Sequence, residues 1–531
     1  MPCKENDQQT TDAPSNSSFR QSMAWLHTWA GLLPGWVLFL IFMFGTTAFF
    51  HLEINRWMRP EARVAPVSAR ALDAAGALLA TRAAGADGWT LSFEGAERGD
   101  GFYVSWLPKG VTPSQREQAT LDPITGEPVT IRETQGGTFL YLFHYNLYYM
   151  PALWARYIVI AASLAMLVAI LSGVVTHKKM FADFFTLRFG KGQRSWLDAH
   201  NVAGVLALPF HLMITYTGLV TLMFVAMPWA ISAAYPVRDA FFDAVAPHPH
   251  VEASGRSAPL LPLSDLVARA TRVGVDFVPG YIVVEHPGDA NAVVEILPQR
   301  DRLPSPHGAV HLNGVTGEVL QAPQAQGPAI ATNGVMIDLH AARFADPVLR
   351  WLYFLAGAGG TAMIASGLVL WTVKRRAKLS DPDRPHIGFK LVGRLNIGVV
   401  AGATAAIAVY FLANRLLPIG MAHRADWEIN SLFIAWGALF VWSIGRPAKR
   451  AWIETLAAGA LLYALVPVVN ACTTERGLIP SLIARDWIFV GFDLTVLVMA
   501  AALAFAAGKV AARKPNAAAE RRTCASVEAI L

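Results

Sequence analysis

The sequence predicts a mainly α-helical, polytopic membrane protein with two α+β domains outside the membrane. Three observations predict this fold class: an apolar composition, eight long apolar segments, and a structural unit that occurs twice. Of the 531 residues, 54% are hydrophobic and only 15% are charged, and the mean hydropathy is +0.38. This composition excludes an ordinary soluble protein. The net charge of +6 falls in short basic clusters beside apolar stretches, so it indicates membrane topology rather than nucleic-acid binding.

Eight segments reach or approach the roughly 20 apolar residues that a spanning helix needs. They lie near 30–50, 152–176, 202–226, 349–373, 395–413, 429–445, 452–470 and 487–508. Basic clusters follow the second, fourth, sixth and eighth segments, which places these exits in the cytoplasm. The clusters are Lys178, Lys179, Arg188, Lys191 and Arg194; Lys374, Arg375, Arg376 and Lys378; Arg446, Lys449 and Arg450; and Lys509, Arg513 and Lys514. Residues 1–20, which lack a signal-peptide pattern, are predicted to be a disordered cytoplasmic tail, and 509–531 a second cytoplasmic tail.

Two long polar segments, 51–145 and 227–345, must then lie outside the membrane. Each combines Val-, Trp- and Tyr-rich runs with turn signals, so each is expected to fold as a small α+β domain. The three cysteines, Cys3, Cys472 and Cys524, lie too far apart in sequence to indicate a disulfide framework or a cysteine metal site.

An internal repeat relates residues 21–176 to residues 196–376. Each copy has the order helix, outer domain, helix, which predicts a four-helix bundle with a pseudo-two-fold axis along the membrane normal. Segment 395–508 lies outside the repeat and is predicted to form four additional transmembrane helices. The matching features are His27, Ala30-Gly31 and Gly45 with His200, Ala203-Gly204 and Gly218; LDPITGEPV at 121–129 with LNGVTGEVL at 312–320; and His144, Pro151 and Ser172-Gly173 with His340, Pro347 and Ser366-Gly367.

The repeated histidines are the candidates for chemistry. His27 and His200 stand at the cytoplasmic ends of their spans, and His144 and His340 stand just before theirs on the outer side. Two neutral imidazoles from different helices can bind the iron of one haem, so the sequence predicts one haem near each face. His211 lies 11 residues after His200, on the same helix face. Two pairings therefore stay open: His27 with His200 and His144 with His340, or an arrangement in which His211 replaces one of these ligands.

Other polar residues have simpler interpretations. His51 and His177 end spans and are expected to be interfacial. Surface exposure is the default for the five histidines of the second outer segment, with binding of a metal substrate as the rarer alternative; they are His248, His250, His286, His307 and His311. Asp493, in the eighth span, is a candidate proton or quinone site or a partner of a nearby amide. No nucleotide-binding motif is visible.

These motifs resemble the PepSY-associated transmembrane helix family, also described as iron-regulated membrane proteins. The resemblance covers about 20–376 and is carried by the two TGE-bearing segments and by WLHTWAG at 25–31, LFHYNLYY at 142–149, DAHNVAGVLALPFH at 198–211 and DLHAARF at 338–344. It implies an inner-membrane ferric-siderophore reductase with two b-type haems in the four-helix core and two PepSY-like periplasmic domains. It also implies that the axial ligands come from His27, His144, His200, His211 and His340. The chain departs from the family's four-span core by its four additional helices.

The expected activity is that of an oxidoreductase, with electrons entering at the cytoplasmic face and reducing ferric iron in a siderophore or another chelate between the outer domains. The donor would be a cytoplasmic protein or a membrane quinol, because no flavin or nicotinamide site is visible; membrane lipid is the surrounding partner, and no nucleic acid is expected. Two alternative functions remain open at this point. A siderophore or solute permease would need more polar residues in the first four spans than His211, Thr215 and Ser172. A regulatory or signalling protein that acts through PepSY domains would leave the repeated histidines unexplained.

Overall fold

A computed structural model describes residues 18–92, 101–111, 116–176, 188, 190–245, 247–274, 277–299, 308–324, 327–381 and 384–513. His177, His307, Lys178, Lys179 and Lys514 lie outside the described residues, as does most of both predicted tails. The helices of the first repeat are α1 (Phe19–Leu32), α2 (Gly35–Ala48), α3 (His51–Met58), α4 (Ala69–Arg82), α5 (Gly136–Asn146) and α6 (Ala152–Thr176). Those of the second are α7 (Gln193–Leu206), α8 (Leu208–Thr221), α9 (Met223–Ala226), α10 (Pro228–Ala234), α11 (Arg238–Val245), α12 (Leu263–Val273), α13 (Pro328–Ala341) and α14 (Pro347–Arg376).

The remaining helices form a C-terminal unit. They are α15 (Ile387–Asn396), a π-helical stretch (Ile397–Ala403), α16 (Thr404–Leu416), α17 (Arg424–Ile444), α18 (Ala448–Thr473), α19 (Leu478–Ile483) and α20 (Trp487–Ala511). Among the described residues, six helical stretches are long and apolar enough to cross a membrane, and up to eight if each of two bent helix pairs is one span. The chain is thus a multi-pass membrane protein.

The two bent pairs overlap the predicted first and third spans, near 30–50 and 202–226, and each begins about ten residues before its predicted span. Helices α1 and α2 meet at 62°, and α7 and α8 meet at 68°. Pro34 stands at the first break, and Pro209 lies in the first turn of α8. Proline has no N–H to donate and its ring clashes with the preceding turn, so a helix ends or kinks where it stands. The breaks incline α1 and α7, which carry His27 and His200, against the helices that follow them.

The two outer segments share one sheet rather than forming separate sheets. Its seven strands run in the order β3-β2-β1-β4-β5-β6-β7, and every adjacent pair is antiparallel. The strands are β1 (Gly88–Ser92), β2 (Phe102–Leu107), β3 (Glu117–Leu121), β4 (Pro279–Glu285), β5 (Val293–Pro298), β6 (Val310–Asn313) and β7 (Val319–Gln321). Strand β1 of the first copy pairs with β4 of the second, with Gly88 opposite Glu285. Because both segments join one sheet, they lie on the same side of the helices, which we name the sheet side.

The repeated TGE segments are structural turns. Asp122 accepts hydrogen bonds from the N–H groups of Ile124 and Thr125 at 2.8 and 2.9 Å, and Asn313 does the same for the N–H groups two and three residues after it. Gly126 and Gly317 have φ angles of +75° and +72°, a region that favours glycine. Burial of Leu91, Ile282 and their neighbours beneath α4 and α12 completes the core of this domain.

A buried polar network attaches the C-terminal unit to the chain between the sheet and α5. Arg424 and Glu428 form an ion pair in which both side chains are fully buried. Glu428 also accepts a hydrogen bond from Asn414 at 2.8 Å and one from Thr134. Arg132 donates to the carbonyl of Asn414 at 2.8 Å. Buried charges need partners of this kind, so the C-terminal unit is held to the repeat by specific bonds as well as by apolar packing.

Asp493 belongs to the same region. Its carboxylate accepts hydrogen bonds from the indole of Trp57 at 3.0 Å and from the amide of Asn470 at 3.3 Å. Of its two interpretations, the structure shows the amide pairing, together with an indole donor that the sequence did not indicate.

Candidate functional site

The first histidine pair joins α1 to α7. The imidazole rings of His27 and His200 have centroids 6.2 Å apart, with their planes at 70°. The two rings therefore lie side by side in an edge-on arrangement. The pair lies toward the end of α6 that is remote from the sheet, since His27 packs against Gly173 near the C-terminus of that helix.

The second pair joins α5 to α13. The rings of His144 and His340 have centroids 6.0 Å apart, with their planes at 28°. These histidines pack against Gly45 and Gly218, which lie in the last turns of α2 and α8 on the sheet side. The two pairs therefore occupy opposite depths of the helical core. Helix α14 from Pro347 to Gly367, beside the first pair, is about 30 Å long, close to the hydrocarbon thickness of a membrane.

Each of the four rings lies against a glycine. A methyl group at any of these glycines would come within 2.5 to 3.1 Å of a ring atom, closer than the 3.4 Å at which ordinary contacts begin. Only a residue without Cβ lets the imidazole approach the helix backbone so closely. The contacts are His27 on Gly173, His200 on Gly367, His144 on Gly45 and His340 on Gly218.

Each ring is also oriented by a backbone carbonyl four residues before its glycine. The Nδ1 atoms of His27, His200, His144 and His340 lie 2.8, 2.8, 2.6 and 3.0 Å from the carbonyl oxygens of Ala169, Met363, Ile41 and Ile214. A carbonyl oxygen only accepts, so Nδ1 must carry the hydrogen and donate it. In this tautomer the lone pair is on Nε2, which is the arrangement of histidines that ligate metals.

The spacing of each pair fits a shared metal. Two metal–nitrogen bonds of about 2 Å, together with the distance from each ring centre to its nitrogen, add up to roughly 6 Å. The observed separations of 6.2 and 6.0 Å match that value. Bis-histidine haem is the common centre of this type in a helical bundle within a membrane, and the donor set fits it.

His211 lies apart from both pairs. It is 1% exposed, and its ring contacts are with Phe42 and Phe210, with centroids 6.1 and 5.9 Å away. Its Nε2 is 3.4 Å from the carbonyl oxygen of Ala356, and its Nδ1 has no hydrogen-bond partner within the described parts of the chain. Of the predicted ligands, the structure brings together His27 with His200 and His144 with His340.

His51, predicted to be interfacial, begins α3. Its Nδ1 donates to the carbonyl of Ala48 at 2.8 Å, and its ring stacks on Tyr141. These contacts anchor α3 beside α5.

The sequence marked the four glycines as part of the repeat but did not show what they contact. Gly45 follows His27 by 18 residues, yet it contacts the ring of His144, and it is Gly173 that contacts the ring of His27. Nothing in a single sequence shows that a helical glycine will contact a distant histidine ring, because every residue before it also has a backbone carbonyl. These contacts form only where helices pack together, as α2 packs on α5 and α1 packs on α6.

Comparison with known proteins matches residues 24–374 to the family model described as the PepSY-associated TM region. A relative is the uncharacterized protein PA4219 of Pseudomonas aeruginosa, which is 27% identical over 366 residues, 66% of this chain and 89% of that protein. The family match includes both repeats, all four paired histidines and their glycines, and it ends before the C-terminal unit. The chain therefore belongs to the PepSY-associated TM region family.

Proposed function

We propose that the chain is a di-haem protein of a bacterial inner membrane that carries electrons across the bilayer and reduces ferric iron on the sheet side. One observation carries the proposal: two imidazole pairs with metal-sharing separations lie at opposite depths of one helical core. A regulatory anchor has no need of such pairs.

The histidines have defined roles in this proposal. When bound, a b-type haem at each pair would supply a one-electron carrier near each membrane face. His27 with His200, and His144 with His340, would hold the haem iron through their Nε2 atoms. The carbonyl acceptors fix each ring's orientation and tautomer, and the close contact of each ring with a glycine limits its movement. Apolar helices around the pairs exclude water, which favours tight ligation by neutral imidazoles.

The basic residues support an orientation with the sheet in the periplasm. Lys374, Arg375 and Arg376 are the last residues of α14, at its end remote from the sheet, and Lys449 lies in the first turn of α18 at that same side. Positive residues accumulate on the cytoplasmic side of membrane proteins. Electrons would then enter from a cytoplasmic protein or a membrane quinol.

The substrate is ferric iron held by a siderophore or another chelate against the outer domain. One electron converts Fe(III) to Fe(II), and chelators with hard oxygen ligands hold the ferrous ion less tightly. Reduction therefore releases the iron without breaking the chelator. The chain itself needs to supply only the path for the electron and a surface for the chelate.

The first test is the dithionite-reduced minus oxidised absorption spectrum of the purified protein, with haem counted as the pyridine haemochrome. We expect two haems per chain. His27→Ala and His200→Ala should each lose the same haem, and His144→Ala and His340→Ala the other. His423→Ala, which changes an exposed histidine in the C-terminal unit, is the matched control and should keep both. A protein without haem after expression with adequate haem supply refutes the proposal.

A second test addresses the substrate. Protein in liposomes with a reduced quinol should reduce a ferric siderophore added on the sheet side. The Fe(II) produced is measured with a chelator that becomes coloured when it binds ferrous iron. Loss of this reduction in His144→Ala, with its retention in His423→Ala, is the expected result. Equal rates in the two variants would exclude ferric reduction through the histidine pairs.

A further inference from the structure

A second histidine cluster lies in the outer domain, far in sequence from the paired imidazoles of the core. Nδ1 of His248 is 3.8 Å from one carboxylate oxygen of Asp243, and Nε2 of His250 is 3.7 Å from the other. One ligand atom from each of the three residues falls within 4.8 Å of the others. Among the described residues, this is the group of three or more histidine, cysteine or acidic side chains whose spacing suits a metal ion.

The local sequence explains how the two imidazoles come together. His248 and His250 alternate with prolines in Pro247-His248-Pro249-His250, and the segment has no regular secondary structure. Proline fixes its own φ and holds the preceding residue in an extended conformation. In an extended chain, side chains two residues apart project to the same side. The rings are accordingly adjacent, with centroids 4.3 Å apart, and Asp243 meets them from the last turn of α11.

The segment is attached to the sheet on both sides of the histidines. Gln321 of β7 donates from its side-chain amide to the carbonyl of Pro247 at 2.8 Å. Beyond the histidines, the carbonyl of Val251 accepts from Nε2 of His286 at 3.1 Å. These bonds hold the segment in place, so the ligand atoms are close together before any ion arrives.

The surroundings are acidic and open. A cavity of about 490 Å³ is lined by this segment together with Glu252, Glu285 and His286. Asp243 and His248 are each somewhat more than 40% exposed, so an ion can reach them from solution. Carboxylates beside the imidazoles favour a cation at this position.

We propose that Asp243, His248 and His250 bind a divalent first-row transition-metal ion on the sheet side of the membrane. Two imidazoles and one carboxylate with open positions are the set that holds Fe(II) in many non-haem sites, and imidazole disfavours Mg²⁺ and Ca²⁺. Drawing the ligand atoms onto one ion requires them to close by less than about 1 Å, which exposed side chains can do. Resting on the proposed function, the ion is the ferrous product released when the chelate is reduced.

The site is tested by equilibrium dialysis of the full-length, detergent-purified chain, without a polyhistidine tag, against Co²⁺. Elemental analysis counts cobalt separately from haem iron. We expect one Co²⁺ per chain, and at least a tenfold loss of affinity in Asp243→Asn and in His250→Ala, since even outer-shell changes cost about 10–100-fold. His423→Ala is the matched control, because His423 and Asp426 form an exposed pair of equal spacing, 3.8 Å, without a second imidazole.

The outcomes separate the site from the proposed function. Unchanged Co²⁺ binding in Asp243→Asn and His250→Ala, with folding verified by an unchanged gel-filtration profile, overturns the site. So does equal competition by Mg²⁺. Displacement of Co²⁺ by Fe²⁺ under anaerobic conditions supports the ferrous assignment. A chain that binds Co²⁺ at these residues but contains no haem keeps the metal site and refutes the ferrous assignment along with the proposed function.

Discussion

Gly45→Ala is the substitution from which the structure predicts the largest effect on histidine ligation. Its methyl carbon would lie 2.5 Å from Cε1 and Nδ1 of His144, against an ordinary contact of at least 3.4 Å. The ring must therefore withdraw by about 0.9 Å, a typical consequence of overpacking. Ile41 lies on the same helix as Gly45, and its carbonyl accepts a hydrogen bond from Nδ1 of His144 at 2.6 Å. The movement of the ring therefore also lengthens this hydrogen bond.

The expected magnitude follows from these contacts. Overpacking costs about 1–3 kcal/mol, and if His144 holds a haem as proposed, its displacement passes that cost to haem binding. This corresponds to about a 5- to 150-fold loss of affinity for one of the two proposed haems. Gly367→Ala should have a smaller effect, because its methyl carbon would lie 3.1 Å from His200 and needs about 0.3 Å of movement.

The assay is the rate at which haem transfers from the purified protein to excess apomyoglobin, since affinity changes fall mainly on dissociation. Gly45→Ala should release one haem faster by the factor above and retain the other at the parent rate. Gly359→Ala is the matched control, because a methyl group there meets nothing within 4 Å. Equal rates in the Gly45 and Gly359 variants, or a larger effect at Gly367, would refute the reasoning.

Three further predictions concern groups outside the paired imidazoles. His211→Leu should keep both haems and raise the unfolding temperature, because it removes a buried Nδ1 without a partner in the described structure, a group that costs about 1–3 kcal/mol; haem loss on pyridine haemochrome counting would instead make this residue a ligand. Arg424→Ala should destabilise the protein by about 3–5 kcal/mol in thermal unfolding, because Glu428 is left buried without its ion-pair partner. The double change to Arg424→Met and Glu428→Leu should recover most of that loss, and no recovery would contradict the argument. Hydrogen bonds from backbone N–H groups, first that of Asn291, lower the pKa of Asp289 to about 2. The stabilising effect of this carboxylate is present above its usual pKa of about 4 and is lost as the pH falls through about 2; pepsin cleavage near this turn should therefore accelerate from pH 4 to pH 2, while Asp289→Asn should be cleaved quickly at both.

The histidine pairs show how far a single sequence can lead. Duplication placed His27 and His200 at equivalent points of one membrane face, and His144 and His340 at the other, because equivalent residues of two parallel repeats meet across their axis. The repeat could not decide the role of His211. Placing His200 and His211 on the same helix face assumes that one unbroken helix carries both residues. The break at Ala207 changes the direction of the helix between His200 and His211.

The outer domain shows a different limit. Strand patterns predicted an α+β fold for both outer segments, but edge strands carry no sequence signal for their partners. β1 and β4 lie some 190 residues apart, and they pair at the centre of the sheet through backbone hydrogen bonds that any residues provide.

By itself, the sequence indicated that this chain lies in a membrane, that residues 21–176 and 196–376 are two copies of one unit, and that two pairs of histidines recur in these copies. Those properties follow from composition, periodicity and repetition, which are local. Only the tertiary structure decided which glycine contacts which imidazole and which strands join the two copies in one sheet. It also decided how the buried ion pair of Arg424 and Glu428 helps to attach the C-terminal helices. Each of these is a contact between helices or strands remote in sequence, and its energy depends on a distance that does not exist until the chain has folded.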